Sequence, residues 1–294
     1  MSIILVDSDC RLSLFPLTLT RPVSALRVGI LTIAEKWERY LAMPVSFLTE
    51  PYLQEKFPQK IDKQNILING AVLPDEHLLE AISKLSDGEI LMENGKWVAI
   101  NLSETSAKAF DHHKLALYRP VNYTGPVARL TFPEDIFKYN DAQIRADYKL
   151  LTKGRVSQKL SSTNQVLGDD IFVEEGVEAE CVTFNTLKGP IYLGKHSQVW
   201  EGVNIRGSFA LCEGAQVKMG AKIYGMTTIG PHSRVGGEIN NTVIMGYSSK
   251  GHDGYLGNSV LGEWCNLGAD SNTSNLKNNY GEVALWDYTK AAAR

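Results

Sequence analysis

Cysteine is scarce and unpaired here: Cys10, Cys181, Cys212 and Cys265 are the only four in 294 residues, and none forms a CxxC pair. That argues against a disulfide framework and a thiolate zinc site, and it fits a reducing compartment. No stretch approaches the ~20 apolar residues that a bilayer-spanning helix needs. The opening MSIILVDSD meets an acid after a few apolar residues, too early for the core of a signal peptide. Lys/Arg runs and basic aromatic stripes are also missing, and the net charge is only −3. Nothing electrostatic therefore points to nucleic acid. The expectation is a soluble, cytoplasmic protein with no nucleic-acid or membrane partner. Phosphorylated small molecules are not excluded, because local Arg and Lys bind them without a global positive charge.

Within these bounds the chain divides. Its length suits two domains of ~100–200 residues each. The first third alternates strand and helix patterns. Ile3–Val6, Val45–Leu48 and Ile66–Ile68 read as strands, and Val28–Leu41 and Glu76–Leu85 as helices. Asn94-Gly95 between Ile90–Met92 and Trp97–Leu102 signals a hairpin. Such alternation predicts a mainly parallel sheet with ligand sites at the strand C-terminal ends. The expected boundaries are an α/β domain over 1–125, a connector over 126–165 with a helix at Asp141–Leu151, and a second domain over 166–294.

The second half carries the clearest pattern. Leu187, Leu193, Val199, Ile205, Leu211, Val217, Ile223, Ile229 and Val235 recur every six residues, several followed by Gly. Each hexapeptide would supply one short strand and one corner of a parallel β-helix, with the aliphatic inside. A β-sandwich would show turn signals every 8–12 residues and would not hold this period. The period lapses after Val235 and resumes at Leu256, Leu261 and Leu267, which predicts a loop excursion over Gly236–Tyr255. Loops leaving a rigid scaffold often carry function. His252 lies at the end of this excursion, Glu238 near its start and Tyr255 three residues beyond the histidine. An imidazole there suits proton removal from a nucleophile. A surface histidine with no task is the plainer explanation.

The stretch KGHDGYLGNSVLGEWCNLGADSNTSN resembles the bifunctional enzymes that make UDP-N-acetylglucosamine. Those enzymes join a nucleotidyltransferase domain to a trimeric left-handed β-helix that acetylates glucosamine-1-phosphate. The resemblance implies that His252 is the general base and that Tyr255, Asn266 and Asn275 line the amino-sugar site. It also matches Arg206 to a phosphate-holding arginine, Glu238 to an acid near the substrate amine, and Ala269 to a position beside acetyl-CoA. The family's lysines before the histidine are replaced by Asn240 and Asn241. Acetyl-CoA and a homotrimer follow as expectations.

Toward the N-terminus, LFPLTLTRPVSALRV (Leu14–Val28) is similar to the LxPLTxTRPKPLxPV segment of sugar-nucleotide pyrophosphorylases. The resemblance implies Mg²⁺ held near Asp75, with Arg11 and Arg21 as nucleotide-binding charges and a nucleoside triphosphate and a sugar-1-phosphate as substrates. Two departures stand out. The glycine-rich loop is replaced by Leu5–Arg11 (LVDSDCR), without the glycines that let N–H groups approach a phosphate, and Val23 stands at the signature lysine. The expected fold is an α/β Rossmann-like, nucleotidyltransferase-type domain followed by a left-handed parallel β-helix of hexapeptide repeats. The related enzymes continue beyond LWDYTKAAAR, so a C-terminally truncated β-helix is expected. Two other readings compete. One is a non-catalytic sugar-nucleotide-binding or scaffold protein. The other is a zinc β-helix using His196 and His232, which lie 36 residues apart and therefore two coils apart on one face.

Overall fold

The computed structural model describes residues 1–8 and 10–294. They form two compact units: Met1–Leu26 with Leu31–Pro133 and Trp286–Arg294, and Arg27–Ile30 with Glu134–Leu285. The connector helix thus belongs to the second unit and the last nine residues to the first, unlike the division expected from sequence.

The first unit runs β1 (Ser2–Val6), α1 (Cys10–Ser13), α2 (Ile33–Leu41), β2 (Val45–Leu48), β3 (Gln64–Asn69), α3 (Glu76–Ser83), β4 (Glu89–Glu93), β5 (Lys96–Ser103), α4 (Glu104–Lys108) and β6 (Arg119–Asn122). Its sheet has the order β2-β1-β3-β5-β4-β6. The β1–β2, β1–β3 and β4–β6 pairs are parallel, whereas β5 runs antiparallel to both β3 and β4. Five of the six strands therefore run in one direction and only β5 opposes them, so the sheet is mainly parallel, as expected, with one reversed strand. The β4–β5 hairpin turns at Asn94 and Gly95, both at the positive φ (48° and 76°) that a tight hairpin turn requires. Every residue of β1 is buried, as suits a central strand covered on both faces.

Helix α2 begins at Ile33, not at Val28. Thr32 caps it: the Thr32 hydroxyl accepts from the Glu35 N–H (3.1 Å) and the Glu35 carboxylate accepts from the Thr32 N–H (2.6 Å). Such reciprocal caps contribute ~1 kcal/mol. The apolar Val28–Leu31 run is not helical because its N–H groups bind elsewhere. In the second unit, the Asn140 amide oxygen accepts from Gly29 (2.7 Å) and the Asp147 carboxylate from Ile30 (2.8 Å). Both acceptors lie on α5 (Pro133–Thr152), which starts well before Asp141, with Pro133 leading and Glu134 and Asp135 in the first turn.

After α5 the chain forms a left-handed parallel β-helix of about six turns over 165–263. The first coil holds β7 (Gln165–Leu167), β8 (Ile171–Val173) and β9 (Glu178–Ala179), and the second β10 (Thr183–Asn185), β11 (Ile191–Leu193) and β12 (Gln198–Val199). The third has β13 (Asn204–Arg206), β14 (Phe209–Leu211) and β15 (Gln216–Val217), and the fourth β16 (Lys222–Ile223), β17 (Thr227–Ile229) and β18 (Arg234–Val235). In the fifth, β19 (Glu238–Gly246) serves two faces and β20 (Ser249–Lys250) the third; β21 (Tyr255–Glu263) again spans two faces.

Eight of the nine hexapeptide aliphatics are buried in one core, each contributing roughly 1.5–3 kcal/mol. Leu187 is the exception, at 69% exposed. The inward residue of its coil is Phe184, and a Thr186–Gly189 turn then lengthens the corner. The expected excursion after Val235 is not a loop either. Residues 238–246 and 249–250 remain in the sheets, and the coil is shortened: Val217 pairs with Val235 eighteen residues on, but Val235 pairs with Lys250 after fifteen. No described helix is long and apolar enough to cross a membrane.

Candidate functional site

In the first unit, β1 lies between β2 and β3, so the chain leaves it in opposite directions. The carboxyl ends of such strands border a crevice where α/β sheets bind ligands. Asp9 lies outside the described residues; around it, the side chains of the segment after β1 bind one another and their neighbours. Asp7 accepts from the Val23 N–H (2.7 Å), the Thr49 hydroxyl (2.5 Å) and Arg11 (2.8 Å). Burial raises the Asp7 carboxyl above its ordinary value, and these donors only partly oppose the rise.

Arg11 is 5% exposed and also donates to the Arg21 carbonyl (3.1 Å), the Tyr52 hydroxyl (2.9 Å) and the Thr18 carbonyl. Its charge is thus engaged by groups of the protein itself. Arg21 is half-buried. Val23 is fully buried, which explains why no lysine head could project there. At the end of β3, the Asn69 amide oxygen accepts from the Ser8 hydroxyl (3.2 Å) and the Ala71 N–H (3.1 Å), bridging the two strand ends. A Cβ on Gly70 would stand 3.0 Å from the Val6 carbonyl oxygen and 3.5 Å from the Ser24 Cβ. Ser24 is 1% exposed, and its hydroxyl has no partner among the described residues.

Asp75 is the N-cap of α3, accepting from the Leu78 N–H at 2.8 Å. Its charge lies near Tyr123, whose hydroxyl burial and Asp75 together push above the ordinary value. One carboxylate with an oxygen already on a helix cap is not by itself a cation cradle. Among the described residues a single group of three potential metal ligands occurs, Asp111, His112 and His113, and Asp75 is not in it.

In the β-helix, Lys222, Glu238 and Tyr255 face one another in register on successive coils, at the ~4.8 Å strand spacing. The Tyr255 hydroxyl donates to the Asn275 amide oxygen at 3.3 Å. Glu238, Tyr255 and Asn275 are thus brought together. His252 is exposed at the corner between β20 and β21. One coil on, Ser249 meets Asn266, Leu256 meets Thr273, and the Asp270 N–H bonds the Asp253 carbonyl. The same offset of seventeen sets Ala269 beside His252. Asn266 is exposed on the neighbouring face.

Arg206 does not join this group within one chain. Its strand pairs with that of Lys222, which pairs with that of Glu238, so two coil spacings, about 10 Å, intervene. Of the two asparagines at the lysine positions, Asn241 donates to Asn258 (2.8 Å). His196 and His232 occupy the same corner column with Gly214 between them, as their backbone bonds to Glu175, Lys195 and Glu213 show. Their two-coil separation is too wide for one zinc ion held at ~2 Å.

Sequence reasoning gave two residues no role of their own, Ser24 and Lys250, although Lys250 opens the KGHDGYLGN stretch. Ser24 left no signal. Lys250 did: it sits where the stack requires an aliphatic, once the coil is allowed to shorten.

Comparison with known proteins adds a family. No curated protein matches the chain. The family model described as sugar nucleotidyl transferase matches residues 3–156, from β1 to just beyond α5. That span is more than half of the 294 residues, and the chain belongs to the sugar nucleotidyl transferase family.

Proposed function

We propose that the chain transfers a nucleotidyl group from a nucleoside triphosphate to a sugar-1-phosphate at the β1–β3 strand ends, and that its β-helix acetylates an amino sugar. The family membership supports sugar-phosphate and nucleoside-triphosphate substrates. The observation that carries the first half is the unpartnered, buried Ser24 hydroxyl beside Gly70 at the strand ends. It is a polar atom without a partner at the crevice where the fold binds ligands.

For the second half, the support is the convergence of Glu238, Tyr255 and Asn275 next to the His252 corner. In acetyl transfer, His252 takes a proton from the amino group of a glucosamine-1-phosphate-like substrate. The amine nitrogen then bonds the thioester carbonyl carbon of acetyl-CoA, the carbon–sulfur bond breaks, and the proton held by His252 passes to the departing sulfur, releasing CoA as its thiol. Arg206 reaches the sugar phosphate only from a neighbouring copy, in keeping with a homotrimer whose sites lie between subunits. Mg²⁺ typically needs one or two carboxylates plus substrate phosphates. Asp75 supplies one carboxylate, so the metal would be held mainly by the nucleotide.

The test is a panel of nucleoside triphosphates and sugar-1-phosphates assayed for pyrophosphate release, with CoA release measured on amino-sugar phosphates. Turnover in both assays supports the proposal. The inward-turned Arg11 favours a second reading, a sugar-nucleotide-binding protein without turnover. Nucleotide binding with no pyrophosphate release would establish that reading instead.

A further inference from the structure

One inward column of the β-helix runs through Ala179, Val199, Val217 and Val235, each in register with the next, and then reaches Lys250. The four preceding residues are aliphatic and buried. Lys250 is 1% exposed, so an ammonium stands in a position otherwise held by methyl groups. A buried charge is costly unless it is well bonded. Here Nζ donates to the carbonyl oxygens of His252 (2.5 Å) and Asp253 (3.1 Å).

Those two peptide units form the corner between β20 and β21. The corner closes at Gly254, whose φ is +113° and where a Cβ would meet the Ser271 carbonyl oxygen at 2.4 Å. A single coil corner with an inward lysine tethered to two of its carbonyls is a different device from the aliphatic packing of the other coils. Burial lowers the ammonium's affinity for its proton, while the Asp253 and Asp270 carboxylates oppose that shift. The charge is thus held in the core by the corner it binds.

We propose that Lys250 is the positioning residue for His252: anchored in the β-helix core, its ammonium holds the His252 and Asp253 peptide units and so fixes where the imidazole is presented beside the Glu238–Tyr255 row. The consequence for catalysis rests on the reading of His252 as the acetyl-transfer base. The clamp on the corner is independent of that reading and can be measured without it.

The full-length chain is compared with Lys250→Met and Lys250→Arg. Three readouts are taken: melting temperature, hydrogen exchange of the peptide spanning 249–255 by mass spectrometry, and acetyl transfer from acetyl-CoA to glucosamine-1-phosphate. Methionine suits the aliphatic column, so Lys250→Met should melt at or above the parent temperature. The corner should nevertheless exchange at least ~10-fold faster, and kcat should fall ~10–100-fold with KM changed less than ~3-fold. Lys250→Arg, which still donates, should recover part of the corner protection. If the methionine variant unfolds, the arginine variant decides: protection at the parental level upholds the clamp, and exchange as fast as in the unfolded peptide removes it. Unchanged exchange and kcat in a folded Lys250→Met chain would overturn the proposal. A loosened corner in that variant, with no acetylation by the parent, would uphold the clamp and remove His252 as the base.

Discussion

Arg155 binds Glu174 through both terminal nitrogens, at 2.8 and 2.6 Å, and so ties the segment after α5 to the first coil of the β-helix. The Tyr192 hydroxyl donates to the same carboxylate at 2.8 Å. Burial would raise the Glu174 carboxyl, but the Arg155 and Tyr192 bonds and the arginine charge outweigh it and hold it below 4.5.

This contact has a definite pH signature. A carboxyl with a depressed folded value adds stability that is fully present above its ordinary value and is lost as pH falls through the folded value. The window is therefore below pH 4.5. Glu174→Gln should cost about 1–2 kcal/mol at pH 7, discounted because the Arg155 side chain is 45% exposed. The difference from the parent should shrink on acidification below that window. Denaturant unfolding of both proteins from pH 7 to pH 3 checks it, and a constant difference would refute the assignment.

The two leucines that share a hexapeptide register should behave differently. Leu211 is fully buried and Leu187 is 69% exposed. Leu211→Ala should destabilise the chain by about 2–5 kcal/mol. Leu187→Ala should stay within ~0.5 kcal/mol. Thermal or chemical unfolding of the pair reads this directly.

Asp75 has a structural task that must be separated from any metal task. Asparagine caps helices about as well as aspartate, so Asp75→Asn should preserve the melting temperature, whereas Asp75→Ala should cost ~1 kcal/mol. If Asp75 also meets Mg²⁺ on the nucleotide, Asp75→Asn lowers pyrophosphate release while the fold is intact. Arg21→Ala should lower it independently through lost phosphate charge. Parental turnover in both Asp75→Asn and Arg21→Ala would remove the two residues from the nucleotide site.

For the β-helix, His252→Ala should lower acetyl transfer by ~10²–10⁴-fold with the melting temperature unchanged. His196→Ala is the control, since it sits in a corner of the regular coils. Sedimentation of the parent should show a trimer. Acetylation by His252→Ala at the parental rate would make that histidine a surface residue.

Much of this architecture was legible in sequence, and its failures have physical causes. Period six identified the β-helix because each coil repeats the same inward positions. It misassigned Leu187 because periodicity cannot tell an inward aliphatic from one on a corner that has grown. It turned 236–255 into a loop because the pattern assumed a constant coil length, and a coil of fifteen residues puts Lys250 in register with Val235. The start of α2 was written in Thr32 and Glu35 but blurred by the apolar run before it. The mainly parallel sheet followed from the strand–helix alternation, and the Asn94-Gly95 turn marked one reversal. The insertion of the reversed β5 between β3 and β4 was not readable, since that pairing depends on the tertiary fold. The Glu238, Tyr255 and Asn275 group was singled out through resemblance, whereas the inward turn of Arg11 shows only in the folded structure.

The register of the coils has a mechanical meaning. A solenoid in which each coil touches only its neighbours gains stability interface by interface, like a stack of plates. Aliphatic pairs cement the plates from Ala179 to Val235, and at the next joint a lysine replaces the aliphatic. The substitution touches one face of three: Ile223–Ile239 and Ile229–Ile244 still cement the other two faces of that joint, so one coil can carry a polar anchor without parting the stack.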